Sequence, residues 1–291
     1  MSGVPVRLHK YQALGNDYLV LHGGEPGTLN PALIKRICHR HFGVGSDGIL
    51  EPVRPRKGAD FGLRIWNPDG SEAEKSGNGL RIFAKYLWDQ RRVTTDAPFA
   101  VDTIGGRVRS QVQDDGGRIF VEMGRASFDS RKIPVTGDPR EVVGEPMVID
   151  GNHFRYTAVT VGNPHCVIPV EELSPELAVR FGPQLENHPY FPNRTNVQFV
   201  KVVHPHELRI EIWERGAGYT LASGSSSCAA AAACVRLGLC TTPLRVLMPG
   251  GQLAITVDAG FNLTMLGPAE KVAEIELAPA FLAAAVRAEN V

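Results

Sequence analysis

The chain has 291 residues, enough for two domains of ordinary size, and its 43% hydrophobic content can supply a core for each. Lysine plus arginine balance aspartate plus glutamate at 31 each, so no net field attracts nucleic acid or an anionic membrane. No apolar run approaches the roughly 20 residues of a membrane span, so we expect a cytoplasmic protein with a small-molecule partner, as a monomer or a homodimer.

The first half of the chain alternates strand-like and helical segments. QALGNDYLVL reads as a strand, whereas PALIKRICHRHF has a helical pattern. The segment GNGLRIFAKYLWDQRR then places Leu80, Phe83 and Leu87 at helical spacing. After Gly105-Gly106, the alternating segments VRSQVQ and RIFVEM predict a hairpin.

The second half passes through the same kinds of segment in the same order. VTVGNPHCVI and RTNVQFV are strand-like, and the alanine-rich SSSCAAAAACVRLGL predicts a helix that ends near Gly238. After Gly250-Gly251, LAITVD and FNLTML predict a second hairpin. The tail APAFLAAAVRAENV predicts a closing helix packed on the first half.

These landmarks recur at a constant offset, which indicates two related half-chains. Gly15-Asn16, Ile65-Trp66 and Ser76-Gly77 reappear 147 positions later as Gly162-Asn163, Ile212-Trp213 and Ser223-Gly224. The repeat predicts an α+β protein of two pseudo-symmetric lobes, each with a mixed or antiparallel sheet around a central helix. We expect an N-terminal lobe over 1–123, joined by the C-terminal helix 278–291, and a C-terminal lobe over 124–277.

Each Ser-Gly pair stands where a predicted helix begins. The first-turn amides of Gly77, Asn78, Gly224 and Ser225 would therefore be donors at positive dipole ends. Two such ends facing each other would bind a carboxylate in a cleft between the lobes. The alternative is that each serine is an ordinary N-cap, and the duplication favours a ligand site.

Polar residues accompany these turns at matching places. Asn67 in one half corresponds to Glu214 in the other, which has Arg215 beside it. Three more asparagines and a histidine lie in or beside apolar strand-like runs, where a polar side chain needs a partner or a ligand: Asn16, Asn163, His165 and Asn196. For each of them, a hydrogen-bonded core or turn residue is the alternative.

Motifs of other enzyme classes are either absent or lack the sequence context that their function requires. The segment 43–48, GVGSDG, matches G-x-G-x-x-G, but a helix precedes it and an apolar run follows, the reverse of a dinucleotide site. No G-x-S-x-G elbow surrounds either serine. The five cysteines form no CxxC pair and no metal-ligand spacing, so we expect buried free thiols and no metal.

Taken together, these segments resemble the diaminopimelate epimerase family over essentially the whole chain. LGNDYLVL is similar to its LGNDF strand, FGVGSDGIL to its GxGxDG loop, and RIWNPDGSEAEKSGNG to its FNxDGSExExCGNG segment. VGNPHCV is similar to its GNPH, and WERGAGYTLASGSSSCAAA to its ERGxGETxACGTGxCA. The resemblance implies twin α+β lobes with a substrate cleft between them, and chemistry without a metal or pyridoxal phosphate.

The resemblance also implies a two-base mechanism on an amino-acid substrate. A thiolate removes the α-proton while a thiol delivers a proton to the opposite face, and here those positions are Ser76 and Ser223. The implied carboxylate-binding residues are Gly77, Asn78, Gly224 and Ser225. The implied contacts to the distal end of the substrate are Asn67, Asn163, Asn196 and Arg215. The implied lining of the reacting centre is Asn16, His165 and Glu214.

This chain departs from the family pattern at the centre of the chemistry. Ser76 and Ser223 replace cysteines, Ser225 replaces threonine, and Tyr219 replaces glutamate. An alkyl hydroxyl has a reference pKa of about 15.7 against about 8.5 for a thiol, and environments shift pKa values by up to about 3–5 units. The serines therefore predict impaired or altered epimerase chemistry. Three explanations stay open: engineered substitutions, a paralogue that isomerises another substrate with Glu214 or His165 as base, or an amino-acid-binding protein without turnover.

Overall fold

The computed structural model describes residues 5–23, 29–56 and 58–287, with the backbone alone described for 284–287. Contacts divide the chain into two units, Met1–Val121 with Pro268–Val291, and Glu122–Gly267. The predicted closing helix extended to residue 291, and residues 288–291 lie outside the described part. None of the helices in the described ranges combines the length and the apolar character that a membrane crossing needs.

Strands and helices alternate along the first unit. Its boundary with the second unit, between Val121 and Glu122, falls within the last strand of the list that follows. In chain order these elements are β1 (Arg7–Ala13), β2 (Asn16–Gly23), α1 (Pro31–Cys38), β3 (Ile49–Val53), β4 (Phe61–Trp66), β5 (Glu72–Ala73), α2 (Gly77–Asp89), β6 (Phe99–Thr103), β7 (Gly106–Gln113) and β8 (Arg118–Arg125), with a 3-10 turn at Asp114–Gly116 before β8.

The second unit follows with the same alternation, and the chain then returns to the first unit. The elements of the second unit are β9 (Glu145–Ile149), β10 (Asn152–Thr160), β11 (Pro164–Pro169), α3 (Pro175–Glu186), β12 (Asn196–His204), β13 (Glu207–Glu214), β14 (Gly218–Thr220), α4 (Gly224–Arg236), β15 (Leu244–Met248), β16 (Gly251–Val257) and β17 (Asn262–Gly267). The returning elements are β18 (Glu270–Glu276) and α5 (Pro279–Arg287).

Both units have the same strand order and the same sequence of pairing directions. The first unit runs β18, β1, β2, β3, β4, β6, β7, β8, paired antiparallel twice, then parallel, antiparallel, parallel, and antiparallel twice. The second unit runs β9, β10, β11, β12, β13, β15, β16, β17 with identical directions. The short strands β5 and β14 extend β4 and β13. The predicted repeat of an α+β unit with a mixed sheet is confirmed.

Strand β18 belongs to the first unit, whereas it was expected in the C-terminal lobe. The C-terminal lobe was expected to run to residue 277, but β18 pairs antiparallel with β1, from Arg7↔Glu276 to Gln12↔Glu270. It therefore belongs to the first unit, where it takes the place that β9 takes in the second. The alternating pattern EKVAEIE marks a strand, but alternation does not specify which strand is its partner.

Each sheet has helices against both faces. In the first unit α1 and α5 cover a core that contains Leu8, Ile37 and Ile49. The other face receives α2, since Gly79 of α2 lies next to Leu50, the neighbour of Ile49 on β3. In the second unit α3 covers a core with Phe181 and Phe199, and the alanine-rich α4 contacts β10, β11 and β16. The central helices α2 and α4 therefore occupy equivalent places.

A close contact between α3 and β13 gives a stability prediction. A methyl group at Gly182 would lie 2.4 Å from the Trp213 ring. Gly182→Ala gains about 1 kcal/mol of helix propensity but forces the ring to move, at a cost of about 1–3 kcal/mol. We expect a net loss in the free energy of unfolding in urea.

The exposed Val179 of the same helix supplies the control. Val179→Ala should change the free energy of unfolding by about 0.5 kcal/mol or less. A Gly182→Ala protein as stable as the parent would contradict the packing described here.

Candidate active site

Ser76 is the N-cap of α2. Its backbone is extended, at φ −135° and ψ 119°, and its Oγ accepts a hydrogen bond from Gly79 N at 3.0 Å. Tyr18 Oη donates to the same oxygen at 3.3 Å. The capping interpretation is confirmed, and the cap holds the hydroxyl at the positive end of the helix dipole.

Ser223 has the equivalent place at the start of α4. Its Oγ accepts from Ser226 N at 3.4 Å and lies 3.4 Å from Ser225 Oγ. Ser227 Oγ donates to the carbonyl oxygen of Ser223 at 2.8 Å, which ties the cap to the first turn. Ser223 is almost fully buried, with 4% of its surface exposed.

A chain of side-chain hydrogen bonds orients Asn16 and Asn78 in the first unit. Asn16 Nδ2 donates to Asp47 Oδ2 at 2.7 Å, and its Oδ1 accepts from Asn78 Nδ2 at 2.9 Å. Asn78 Oδ1 accepts from Arg81 Nη2 at 2.9 Å, and Arg81 Nε donates to the carbonyl oxygen of Pro268. An acceptor-only carboxylate at one end and a donor-only guanidinium at the other fix which way both amides point. Asn16 and Asn78 therefore belong to one hydrogen-bonded network at the start of α2.

The two Gly-Asn turns share a backbone conformation that explains their glycines. Gly15 has φ 89° and Gly162 has φ 116°, in the left-handed region that strongly favours glycine. Asn16 is the first residue of β2, and Asn163 directly precedes β11.

His165 lies on β11 and is fully buried. Its Nε2 is 2.9 Å from Asn163 Oδ1 and its Nδ1 is 3.3 Å from Gln198 Oε1. Burial lowers the pKa of His165 to about 3, so the ring is neutral and carries one hydrogen. The neutral ring donates from one nitrogen only, either to Asn163 Oδ1 or to Gln198 Oε1, and Gln198 Nε2 donates to Ser226 Oγ at 3.1 Å. This geometry supports His165 as a buried hydrogen-bonding group rather than as a base.

Hydrogen bonds from its backbone amides hold the loop that follows β13. Asn196 Oδ1 accepts from Arg215 N at 3.0 Å, and Asn196 Nδ2 donates to the carbonyl oxygen of Pro164 at 2.8 Å. Glu186, at the end of α3, accepts from Gly216 N at 2.9 Å. The Arg215 side chain is exposed and donates to Asn193 O. Asn196 therefore acts as a brace for the Arg215 loop in this structure.

Glu214 and Tyr219 lie on different faces of the β13 and β14 pair. Tyr219 is opposite Trp213, and both pack against the core beneath α3. Glu214 is the next residue after Trp213, so its side chain points the other way, where Thr220 Oγ1 donates to Oε2 at 3.4 Å. Tyr219 Oη donates to Glu211 Oε2 at 2.6 Å. The tyrosine at the family's glutamate position is therefore accommodated by a structural pair away from Glu214.

Asn67 is placed differently from the other predicted residues of the first unit. It closes the turn between β4 and β5, where its Nδ2 donates to Ser71 Oγ at 3.0 Å and its backbone N to Ser71 O at 2.8 Å. The structure thus joins Asn67 to Ser71, and joins Asn78 to Asn16.

Several residues of these networks were missed in the sequence. Arg81, Gln198 and Glu186 each hold a predicted site residue or its loop, but their side chains carry no motif of their own. Asp47, which holds Asn16, does belong to the GxGxDG-like loop. Tyr18 did carry a signal, because it stands 147 positions before His165. Within the described ranges, no cluster of three histidine, cysteine, aspartate or glutamate side chains is arranged to hold a metal ion.

The fold matches solved structures of low sequence identity. The chain superposes on a hydroxyproline epimerase from Agrobacterium vitis with a TM-score of 0.69 and 15% identity, covering 95% of this chain and 94% of that one. At this identity the likeness establishes the class of fold, a duplicated α+β fold shared with that epimerase.

Sequence relatives define the family within that class. The family model for diaminopimelate epimerase matches residues 8–129 and 157–272. The chain is 54% identical to "Diaminopimelate epimerase 2" of Nostoc sp., over 94% of this chain and 95% of that protein. It is 42% identical to a diaminopimelate epimerase of Desulfitobacterium hafniense, over 90% and 95% of the two chains. The chain belongs to the diaminopimelate epimerase family.

The burial of His165 gives a pH prediction. Its folded-state pKa lies below the unfolded value of about 6.5, so between these values the unfolded chain binds a proton that the folded protein does not. This contribution to stability is complete above pH 6.5 and declines as the pH falls toward 3, by at most about 1.4 kcal/mol per pH unit. Nitrogen NMR should show a neutral ring from pH 8 down to 5.

The same prediction has a stability readout. Urea unfolding at several pH values should show a shallower acid slope for His165→Gln than for the parent, because the variant has no imidazole to protonate. A His165 ring that titrates near pH 6.5 in the folded protein would contradict the buried neutral state.

Proposed function

We propose that this protein inverts the α-carbon of an amino acid by two-base proton transfer, with diaminopimelate as the first candidate substrate. The observation that carries the proposal is the duplicated capped helix, with Ser76 and Ser223 each at the positive end of a buried helix. Membership of the diaminopimelate epimerase family supports the same reaction class. The proposal involves no metal and no pyridoxal phosphate.

The proposal assigns one proton-transfer position to each unit, Ser76 in the first and Ser223 in the second. The substrate carboxylate binds the first-turn amides of the two helices, because backbone N–H groups and the helix dipole both favour an anion. The residues proposed for this role are Gly77, Asn78, Gly224 and Ser225. Those proposed for the distal end of the substrate are Asn67, Asn163, Asn196 and Arg215, and those beside the reacting centre are Asn16, His165 and Glu214.

The serines set the energetic difficulty of this reaction. Replacing a thiol by an alkyl hydroxyl raises the reference pKa by about 7 units, on the order of 10 kcal/mol for proton removal. One capping hydrogen bond to each oxygen offsets a small part of that difference, roughly 1.5–3 kcal/mol when the oxygen is charged. We therefore expect slow turnover compared with relatives that carry cysteine.

A binding protein without turnover is the second candidate. The observation in its favour is that both serine hydroxyls are engaged as N-caps, a role that needs no proton transfer. An isomerase that uses His165 as base receives less support, because that ring is fully buried with both nitrogens near amide partners. Incorporation of solvent deuterium at the α-carbon separates turnover from binding.

Restoring the thiols tests whether the surrounding site is that of an epimerase. Ser76→Cys combined with Ser223→Cys should raise inversion of diaminopimelate by at least about 10²-fold, because both groups return to a pKa range that a site can tune. Each single variant should exchange solvent deuterium mainly with retention, since one cysteine removes and returns a proton on the same face. Mass spectrometry and chiral chromatography measure the two outcomes.

Ser174 provides the matched control for the cysteine variants. It is the N-cap of α3, where its side chain accepts from Leu177 N at 3.3 Å, and it has no part in the proposed site. Ser174→Cys should leave exchange as in the parent. A double-cysteine protein that binds diaminopimelate but neither exchanges nor inverts it would overturn the proposed substrate and favour binding alone.

A further inference from the structure

Tyr18 lies directly against the capping serine of α2. Its Oη is 3.3 Å from Ser76 Oγ, and the side chain is buried, with 7% of the residue exposed. The ring is held by Gly48, where an added methyl group would come within 2.6 Å of it. Because Gly48 has φ 158° and leaves no room for a side chain, the backbone itself provides the space for the phenol.

The duplication assigns Tyr18 to the position of His165. Both stand two residues after the asparagine of a Gly-Asn turn, and 147 positions separate them, as for Ser76 and Ser223. They also lie on equivalent strands, β2 and β11. The family's LGNDF motif ends in phenylalanine, and this chain has Tyr18 at that place. A ring hydroxyl is therefore present here where the motif has none.

Two departures from the family pattern are therefore in contact with each other. A hydroxyl replaces the thiol at Ser76, and the residue that gains a hydroxyl, Tyr18, donates its hydrogen to that same oxygen. A phenol has a reference pKa near 10 and an alkyl hydroxyl about 15.7, so the phenol is the stronger acid of the pair by roughly 6 units. At pH 7 about one phenol in 10³ is ionised, against about one alkyl hydroxyl in 10⁹.

We propose, building on the function proposed above, that Tyr18 holds the proton for Ser76, so that the two side chains work as a hydroxyl–phenol pair. In the abstraction direction the α C–H bond breaks and its proton goes to Ser76 Oγ. The Ser76 O–H bond breaks in the same step, its proton goes to the Tyr18 phenolate, and the electron pair stays on the α-carbon. In the delivery direction the neutral Tyr18 returns a proton to Ser76 as Ser76 protonates the carbanion.

This arrangement removes the need for a serine alkoxide. Ser76 Oγ keeps its hydrogen bond from Gly79 N at 3.0 Å throughout, so the cap is retained while the hydroxyl hydrogen rotates between Tyr18 and the substrate. The 3.3 Å separation from Tyr18 is longer than the usual 2.5–3.0 Å, about as expected for an acid–base pair that tightens when substrate binds. Tyr18 acts through Ser76 and is thus a positioning and proton-holding partner.

The test compares Tyr18→Phe in two backgrounds, the parent chain and the Ser76→Cys/Ser223→Cys chain. Solvent deuterium incorporation into saturating diaminopimelate is measured by mass spectrometry, and binding by calorimetry. In the parent, Tyr18→Phe should lower exchange at least about 10²-fold, the usual weight of a general acid or base, with Kd changed less than about threefold. In the cysteine background the loss should be at least tenfold smaller, because a thiol carries its own proton.

Tyr11→Phe is the matched control. Tyr11 is also a buried tyrosine of the first unit, and its hydroxyl donates to Asp89 at 2.9 Å, away from Ser76. Its removal should leave exchange within about twofold in both backgrounds. Thermal unfolding of every variant checks that the fold is retained.

Any of the following outcomes would contradict the proposed Tyr18–Ser76 pair. No loss in the parent chain, or equal losses in both backgrounds, would show that the Tyr18 hydroxyl is structural. Exchange by the cysteine chain but none by the parent would overturn the role of Tyr18 and leave the epimerase site standing. No exchange by either chain, despite measured binding, would overturn the proposed function and this inference with it.

Discussion

Both units depend on how the first-turn backbone amides of their central helices, α2 and α4, find hydrogen-bond acceptors. Four N–H groups there have no partner within the helix, and a buried helix start must satisfy them. In both units a serine Oγ accepts from the amide three residues on, at Gly79 N or Ser226 N. The residue proposed for proton transfer in each unit is thus also the N-cap of the central helix.

The hydrogen-bond networks near the two N-caps bear on the orientation of asparagine side-chain amides. An asparagine side chain can present either end, and its orientation is settled when an acceptor-only or a donor-only group stands beside it. Asp47 and Arg81 do this for Asn16 and Asn78. In the second unit the equivalent Asn163 Oδ1 lies 2.9 Å from Nε2 of the neutral His165 ring. The two units thus place equivalent asparagines beside different partners.

The constant offset between half-chains was enough to predict two related α+β units and the capped helices. It worked because glycine turns and N-caps are local features, fixed by φ and by one side chain. The partner of β18 could not be predicted, since strand pairing is a long-range choice that alternation does not encode. The brace formed by Asn196 was also hidden, because an amide in a strand has the same sequence pattern whether its partner is a ligand or Arg215 N. The Tyr219 and Glu211 pair needed the register of β13 and β14 before it could be recognised.

The return of β18 to the first unit has a consequence for biosynthesis. The second unit is continuous in sequence, so all of its strands have left the ribosome's active centre once Gly267 has been added. The first unit, although begun first, has an open sheet edge at β1 until residues 270–276 are made. Translation from the N-terminus therefore reverses the usual order, in which the domain begun first is finished first. During that interval β1 is an unpaired edge on a nascent chain, and its free backbone groups can pair with a strand of another chain.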